Sequence, residues 1–186
     1  MPTIRNYQEK DREHVRHVSI QTGPKQARQE GPARVTLLTT YCDYYIDCEP
    51  HNCFVIADDD DRAVGYIVGA EDYWAYYKRF SQDYAPRTKG LPLYNRVECL
   101  GAAWLPRFLM KKYPAHLHIN ILPDYQRMGL GSQLMDALTT HLREKGISGV
   151  MLGVAADNQK GRNFYHKYGF KKLIRIPMSV VMGLRL

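Results

Sequence analysis

The chain has 186 residues, enough for one domain whose core needs neither disulfides nor a metal. Apolar residues make up 45% and charged residues 24%, the balance of an ordinary soluble globular protein. Lysine and arginine exceed aspartate and glutamate by 26 − 19 = 7, which favours an anionic partner. No run of five basic residues points to nucleic acid, and no apolar segment is long enough to span a membrane.

The opening MPTIRNYQEKDREHV is polar and lacks an apolar signal core, so a cytoplasmic location is expected. The four cysteines, Cys42, Cys48, Cys53 and Cys99, are then expected as free thiols. Cys42, Cys48, His51 and Cys53 match no structural zinc spacing, so no metal site is expected.

Thr3 to Tyr7 reads as a short strand, followed by a helix from near Asp11. Asp11 suits an N-cap, but His14 stands where a capping box wants glutamate. Val15, Val18 and Ile20 would line the buried side. Residues 21–34 read as loop, and ARVTLLTTYCDYYIDCE as a second helix bounded by Pro50. Cys53 to Ala57 and Ala63 to Val68 form a hairpin around Asp58 to Asp61, a run suited to a solvated turn.

Residues 71–114 hold an aromatic-rich segment with Tyr73, Trp74, Tyr76, Tyr77, Phe80, Tyr84, Tyr94, Trp104, Phe108 and Tyr113. Its two helical pieces, EDYWAYYKRFSQDY and GAAWLPRFLMKKYP, are separated by the break PRTKGLP. The aromatics exceed what one helix needs, so the segment reads as an inserted wall lining a substrate cleft. Ala115 to Leu122 is a strand. A helix over Gly129 to Lys145 follows, with Leu130, Leu134, Leu138 and Leu142 on one face and Gly146 as its stop. GVMLGVA is a buried strand, NQKGRNFYHKYGF a short helix ended by Gly169, and KKLIRIP with SVVMGLRL a closing hairpin turning at Pro177. The alternation makes one mixed α/β domain over 1–186.

The segment Gln126-Arg127-Met128-Gly129-Leu130-Gly131 follows a strand and opens a helix. A helix start leaves backbone N–H groups unpaired at the positive end of its dipole, and glycines let an anion come close. This is a phosphate site, with Arg127 adding charge. Leu134 stands where a dinucleotide-binding loop wants its third glycine, and no Gly-Lys-Ser/Thr follows, so neither common nucleotide loop is present.

That loop, after a strand ending ILPDYQ, resembles the pyrophosphate loop of the GNAT acetyltransferases. NQKGRNFYHKYGF resembles the family's N-x-x-A-x-x-x-Y-x-x-x-G-F helix, with Gly161 where alanine is usual. The opening IRNYQEKDREHV is similar to the family's first strand and helix. CEPHNCFVIADD, AVGYIVGAED, AWLPRFLMKKYP, HINILPDYQ and VVMGLRL also resemble the acetyltransferase-like C-terminal domain of O-GlcNAcases and its stand-alone relatives. The resemblance implies a GNAT fold: a mixed, mostly antiparallel sheet with a V-shaped splay between strands 4 and 5, flanked by helices.

It further implies acetyl-CoA as cosubstrate and an amine as acceptor. The backbone of Ile119, Ile121 and Leu122 would pair with the pantetheine arm. Gln126, Arg127 and the N–H groups of Met128, Gly129, Leu130, Gly131 and Ser132 would hold the pyrophosphate. Asn158 would contact the arm and Tyr165 would protonate the leaving thiolate. A neutral amine is needed for attack on a thioester. His116, His118, Asn120 and Leu122 share one strand face by period two. His118, with Asn120 beside it, is the expected base, and a backbone N–H near Ile121 or Leu122 the expected oxyanion donor. Two readings stand: a direct-transfer N-acetyltransferase, or a non-catalytic acyl-CoA-binding module. The acceptor's identity and a homodimer are left open.

Overall fold

The computed structural model describes residues 2–102, 107–176 and 178–186. Seven strands form one sheet in the order β1-β2-β3-β4-β5-β7-β6. They are β1 Thr3–Asn6, β2 Cys53–Ala57, β3 Ala63–Ala70, β4 Ala115–Ile121, β5 Gly149–Ala155, β6 Lys171–Ile176 and β7 Ser179–Arg185. Neighbours pair antiparallel everywhere except β4 and β5, which run parallel. The fold is therefore the expected α/β one, with a mixed and mostly antiparallel sheet.

The helices among the described residues are α1 Arg12–Thr22, α2 Pro32–Leu38, α3 Tyr44–Cys48, α4 Tyr73–Arg79, α5 Leu93–Ala102, α6 Arg107–Met110, α7 Leu130–Glu144 and α8 Gln159–Tyr168. One sheet face packs on α7, whose Leu130, Leu134, Leu138 and Leu142 meet Phe54, Ile56, Ile67, Leu117 and Val150. The other face packs on the N-terminal helices and the segment after β3, through Val15, Val18, Tyr44, Tyr45, Tyr66, Tyr73, Tyr76 and Phe80. Covered on both faces, β2 and β3 are buried along their whole length and read as continuous apolar runs rather than alternating ones.

Several local expectations change. Asp11 does not cap α1 with its side chain. Its buried carboxylate accepts from Arg5 at 2.7 and 2.8 Å and from the Gln8 N–H at 2.9 Å, in a 3-10 turn before the helix. The loop expected at 21–34 holds a 3-10 turn, Lys25–Arg28, and the start of α2, where Pro32 needs no N–H partner. The second helix is a rod with a π turn, Thr39–Asp43, between α2 and α3.

The aspartate run is a turn, as its composition suggests. Asp58 Oδ1 accepts from the N–H groups of Asp60 and Arg62 at 3.0 and 2.9 Å. Its charges are held by Arg62, Arg5 and Lys10.

The aromatic segment is mostly core. Tyr73, Tyr76, Phe80 and Tyr84 are buried against α3, and Tyr76 stacks on Tyr45 at 5.7 Å. The reason is β4: two of its three even-numbered side chains, His116 and His118, are histidines, and aromatic rings pack on them. Ring centroids of Tyr76 and His116 lie 4.3 Å apart, and the Tyr45 hydroxyl is hydrogen-bonded to His116 Nε2 at 2.8 Å. Among the described residues of the segment, only the α5 part reaches the cleft described below. Trp104 and the Pro177 turn lie outside the described residues.

Candidate active site

The parallel joint between β4 and β5 is short. Only Ala115↔Val150 and His116↔Met151 pair, after which the strands diverge. A cleft of about 540 Å³ opens there, bordered by Leu117, Ile119, Leu152 and Val154 from the two strands and by Asn158 and Tyr165 beyond them.

The register shows which backbone groups face it. The Leu122 N–H donates to the Val64 carbonyl at 3.0 Å, directly opposite in the β3–β4 ladder. Antiparallel pairs alternate between hydrogen-bonded and non-hydrogen-bonded. The even-numbered residues of β4 therefore spend their N–H and C=O groups on β3. Leu117, Ile119 and Ile121 turn theirs towards β5, where past Met151 no strand meets them.

Leu122 is thus a correction. Its N–H is held by Val64, so it is not available to an added chain or an oxyanion, and its carbonyl already accepts from the Tyr125 N–H at 3.0 Å. Ile119 and Ile121 face the splay. The Ile121 carbonyl is taken by Gln126 Nε2 at 2.8 Å, which puts Gln126 against the strand rather than in the loop's anion site.

The loop reaches α7 through two left-handed residues, Arg127 at φ 64° and Gly129 at φ 78°. Gly129 is the N-cap of a 15-residue helix, so the N–H groups of Gly129, Leu130 and Gly131 have no intrahelical acceptor. Ser132 is a second correction, since its N–H donates to the Gly129 carbonyl at 3.1 Å. A Cβ on Gly129 would meet nothing within 4 Å, which leaves open space in front of the helix start. At Gly131 it would sit 3.3 Å from Phe164 and 3.6 Å from Ile121, so this glycine lets α8 and β4 close behind the loop. The fit to a pyrophosphate is good: donors at the positive end of a dipole, open approach, and exposed Arg127 and Met128 alongside.

Asn158 is the N-cap of α8, its Oδ1 accepting from the Gly161 N–H at 2.8 Å. A Cβ at Gly161 would stand 2.8 Å from Asn158 Nδ2, the end of a side chain that would have to turn. With its oxygen held by the Gly161 N–H, Asn158 borders the cleft. Tyr165 borders the same space on α8, and burial pushes its phenol up to about 12.

His118 and Asn120 line the cleft from β4. Burial pulls His118 down to about 4, and the edges of Tyr41 and Tyr45 pack on it at 5.1 and 5.3 Å. Asn120 Nδ2 donates to the buried Tyr66 hydroxyl at 2.8 Å. His116 lies behind, fully packed, its pKa lowered by burial and by His118, and its Nδ1 is unpartnered.

The opposite wall was expected from sequence only in its α5 part, which belongs to the aromatic segment; its α1–α2 part was not. It comprises Thr22 to Pro24, Gln26, Ala33, Leu37 and Tyr41 from the α1–α2 region, with Tyr94, Asn95 and Glu98 from α5. These residues sit in the least patterned stretches of the chain, and only the folded arrangement brings α5 over α2. Away from the cleft, Glu49, His51 and Glu71 have ligand atoms within 4.8 Å of one another. Lys145 and Asn52 already hold Glu71, and Tyr44 and Asn52 hold Glu49.

Residues 24–170 match the model of the acetyltransferase (GNAT) family. Mycothiol acetyltransferase of Paenarthrobacter aurescens is 40% identical over 65 residues, 35% of this chain and 19% of that protein. The [ribosomal protein bS18]-alanine N-acetyltransferase of Escherichia coli is 36% identical over 55 residues, 30% of this chain and 37% of that protein. The chain thus spans well under half the length of the curated relatives it matches. The crystal structure of SsHAT superposes with a TM-score of 0.88 at 25% identity, covering 99% of this chain and 98% of that one. That of PaiA N-acetyltransferase from Thermoplasma acidophilum, in complex with coenzyme A, has a TM-score of 0.63 at 15% identity, covering 100% and 99%.

Proposed function

The chain belongs to the GNAT family of acetyltransferases, and from that premise we propose that it transfers an acetyl group from acetyl-CoA to an amine by direct attack, both substrates being bound together. The observation that carries this reading is the splay: two residues of β4 with backbone groups turned away from β3 past the last pair with β5, on the strand that runs on into the glycine-flanked start of α7. Acetyl-CoA supplies the thioester. Ile119 and Ile121 bind its amide arm as an added strand would, Gln126 swinging off the Ile121 carbonyl. Arg127 and the N–H groups of Met128, Gly129, Leu130 and Gly131 hold the pyrophosphate, and Asn158 Nδ2 donates to the arm.

Tyr165 keeps its proton at neutral pH because burial raises its pKa. It gives that proton to the departing sulfur, so that a thiol and not a thiolate leaves. His118 is neutral and only weakly basic. It does not strip a free ammonium, whose pKa is about 10.4. It takes the proton from nitrogen as the N–C bond forms and the nitrogen turns acidic. Asn120, fixed by Tyr66, holds the acceptor beside it, and the Ile121 N–H steadies the developing oxyanion.

Within the family we group the chain with the acetyltransferase-like domain of O-GlcNAcases and its stand-alone relatives, on CEPHNCFVIADD, AVGYIVGAED and VVMGLRL. We take 1–186 as one acetyltransferase domain with 71–114 inserted, acting in the cytoplasm, where its four free cysteines stay reduced. The weak basicity of His118 is the one observation that favours the rival reading, a binding module without turnover. Calorimetric titration with acetyl-CoA, followed by thiol release across a panel of amines and peptides, separates the two. The enzyme binds in the micromolar range or tighter and releases thiol with some amine. Binding without any release leaves the module, and no binding removes both.

A further inference from the structure

The cleft's charge names the kind of amine, on the premise that the acetyltransferase reading holds. The chain carries 26 lysines and arginines, yet among the described residues lining the cleft there is neither. The one formal charge there is the Glu98 carboxylate, since His118 is held neutral. Among the described residues Glu98 has no ion-pair partner. Asp58, Asp60 and Asp61 of the turn, by contrast, each pair with arginine or lysine elsewhere on the molecule.

A second acceptor group lies buried just behind the same wall. Asn95 is 1% exposed and borders the cleft. Its Nδ2 donates to Thr36 Oγ1 at 3.0 Å, and that hydroxyl donates to the Pro32 carbonyl at 2.9 Å. Having spent its proton on Pro32, the Thr36 hydroxyl can only accept from Asn95. The amide orientation follows, and it leaves Asn95 Oδ1 with no donor. Tyr41 adds an aromatic ring whose edge meets His118, and burial followed by the nearby Glu98 charge pushes its phenol up to about 12. Ala33 and Leu37 supply apolar surface between these polar groups.

A carboxylate, an orphaned amide oxygen and aromatic rings all attract cations, and nothing in the lining compensates an anion. We propose that the acceptor is an aliphatic primary amine on a cationic or uncharged stem, and that Glu98 is the specificity residue that draws positive charge into the cleft and turns carboxylates and phosphates away. The inserted α5 thereby decides acceptor choice, while β4, β5 and α7 serve the common cosubstrate. The chemistry is shared by a free diamine and by a lysyl side chain in a peptide.

The test uses the full chain saturated with coenzyme A, titrated calorimetrically with three probes: 1,5-diaminopentane, an end-blocked peptide with one lysine, and 6-aminohexanoate, which has a similar stem ending in a carboxylate. The diamine or the lysyl peptide should bind about tenfold or more tightly than 6-aminohexanoate. Glu98→Gln should cost the preferred amine about fivefold or more, and Glu98→Lys should favour 6-aminohexanoate. In thiol-release assays the same variants should raise KM for the amine and leave KM for acetyl-CoA as in the parent. Preference for the diamine assigns a free polyamine-like acceptor, preference for the peptide a protein lysine, and either supports the proposal. Equal binding of 6-aminohexanoate, or indifference of the amine to both Glu98 variants while coenzyme A binds normally, overturns this assignment and leaves the acetyltransferase reading standing. Failure to bind coenzyme A overturns both.

Discussion

Arg127 and Gly129 take the same unusual backbone conformation, but at different cost. A left-handed residue with a Cβ costs about 1–2 kcal/mol, and glycine escapes that cost. Arg127 bears the strain at φ 64°, and the loop it shapes faces the open start of α7. We expect Gly129→Ala to lower stability by about 1–2 kcal/mol in urea unfolding and to weaken acetyl-CoA binding in calorimetry. Tyr165→Phe should leave acetyl-CoA affinity unchanged and lower kcat by about a hundredfold, the usual reach of a lost general acid; an unchanged kcat would make Tyr165 a packing residue only. At this scale the positions of the candidate side chains were legible where they are local. Gly129, Asn158 and Tyr165 belong to short motifs whose spacing is set by one helix. Leu122 and Ser132 were not, because their N–H groups are claimed by a β3 carbonyl and by a turn that residue identity does not encode.

Among the elements, β4 does two jobs with one alternation. Its even residues give their backbone to β3 and their side chains to the aromatic layer, while its odd residues give their side chains to α7 and their backbone to the splay. Amide hydrogen exchange should separate the two sets. In the free chain the Ile119 and Ile121 amides should exchange at least tenfold faster than those of His118 and Asn120, and saturating acetyl-CoA should slow the first pair selectively. Uniform protection along β4 would contradict the register argument. The periodic elements were readable in advance, β2, β3 and α7 above all, because one long apolar pattern has few alternatives. The π turn at Thr39–Asp43 was not, since nothing in TTYCD marks an extra residue in a helical turn. Nor was the fate of the aromatic segment. Its tyrosines could equally have faced a cleft; what Tyr73 and Tyr76 pack on instead is His116, on a strand 40 and more residues later.

The whole molecule carries a pH dependence from the two β4 histidines. Burial lowers the pKa of His116 and His118 below the unfolded value of about 6.5. Both are neutral in folded and unfolded chains above that pH, so stability is full there. As pH falls from about 6.5 towards 4, the unfolded chain takes up protons that the folded one refuses, and stability declines. The His118 share is on the order of 3 kcal/mol, at about 1.4 kcal/mol per unit. Asp43 and Glu49, raised by burial, act with the opposite sign at the acid end, strengthening the fold as they protonate. Urea midpoints at pH 7, 5.5 and 4.5 should therefore fall less steeply in His118→Gln than in the parent.

One bond in the aromatic layer also sets the order of assembly. Tyr45 and His116 are 71 residues apart in the chain. The strand that carries the candidate chemistry is fastened on one side by that distant tyrosine, on a second by β3 across the whole inserted segment, and on a third by a parallel partner that arrives only after α7. Each is a long-range closure whose entropy must be met before any contact repays it. Nascent chains should thus hold α1, the rod from 32 to 48 and the β2–β3 hairpin early, with β4 locking last. Substitutions in β4 should accordingly slow the final folding step more than equally destabilising ones in α1.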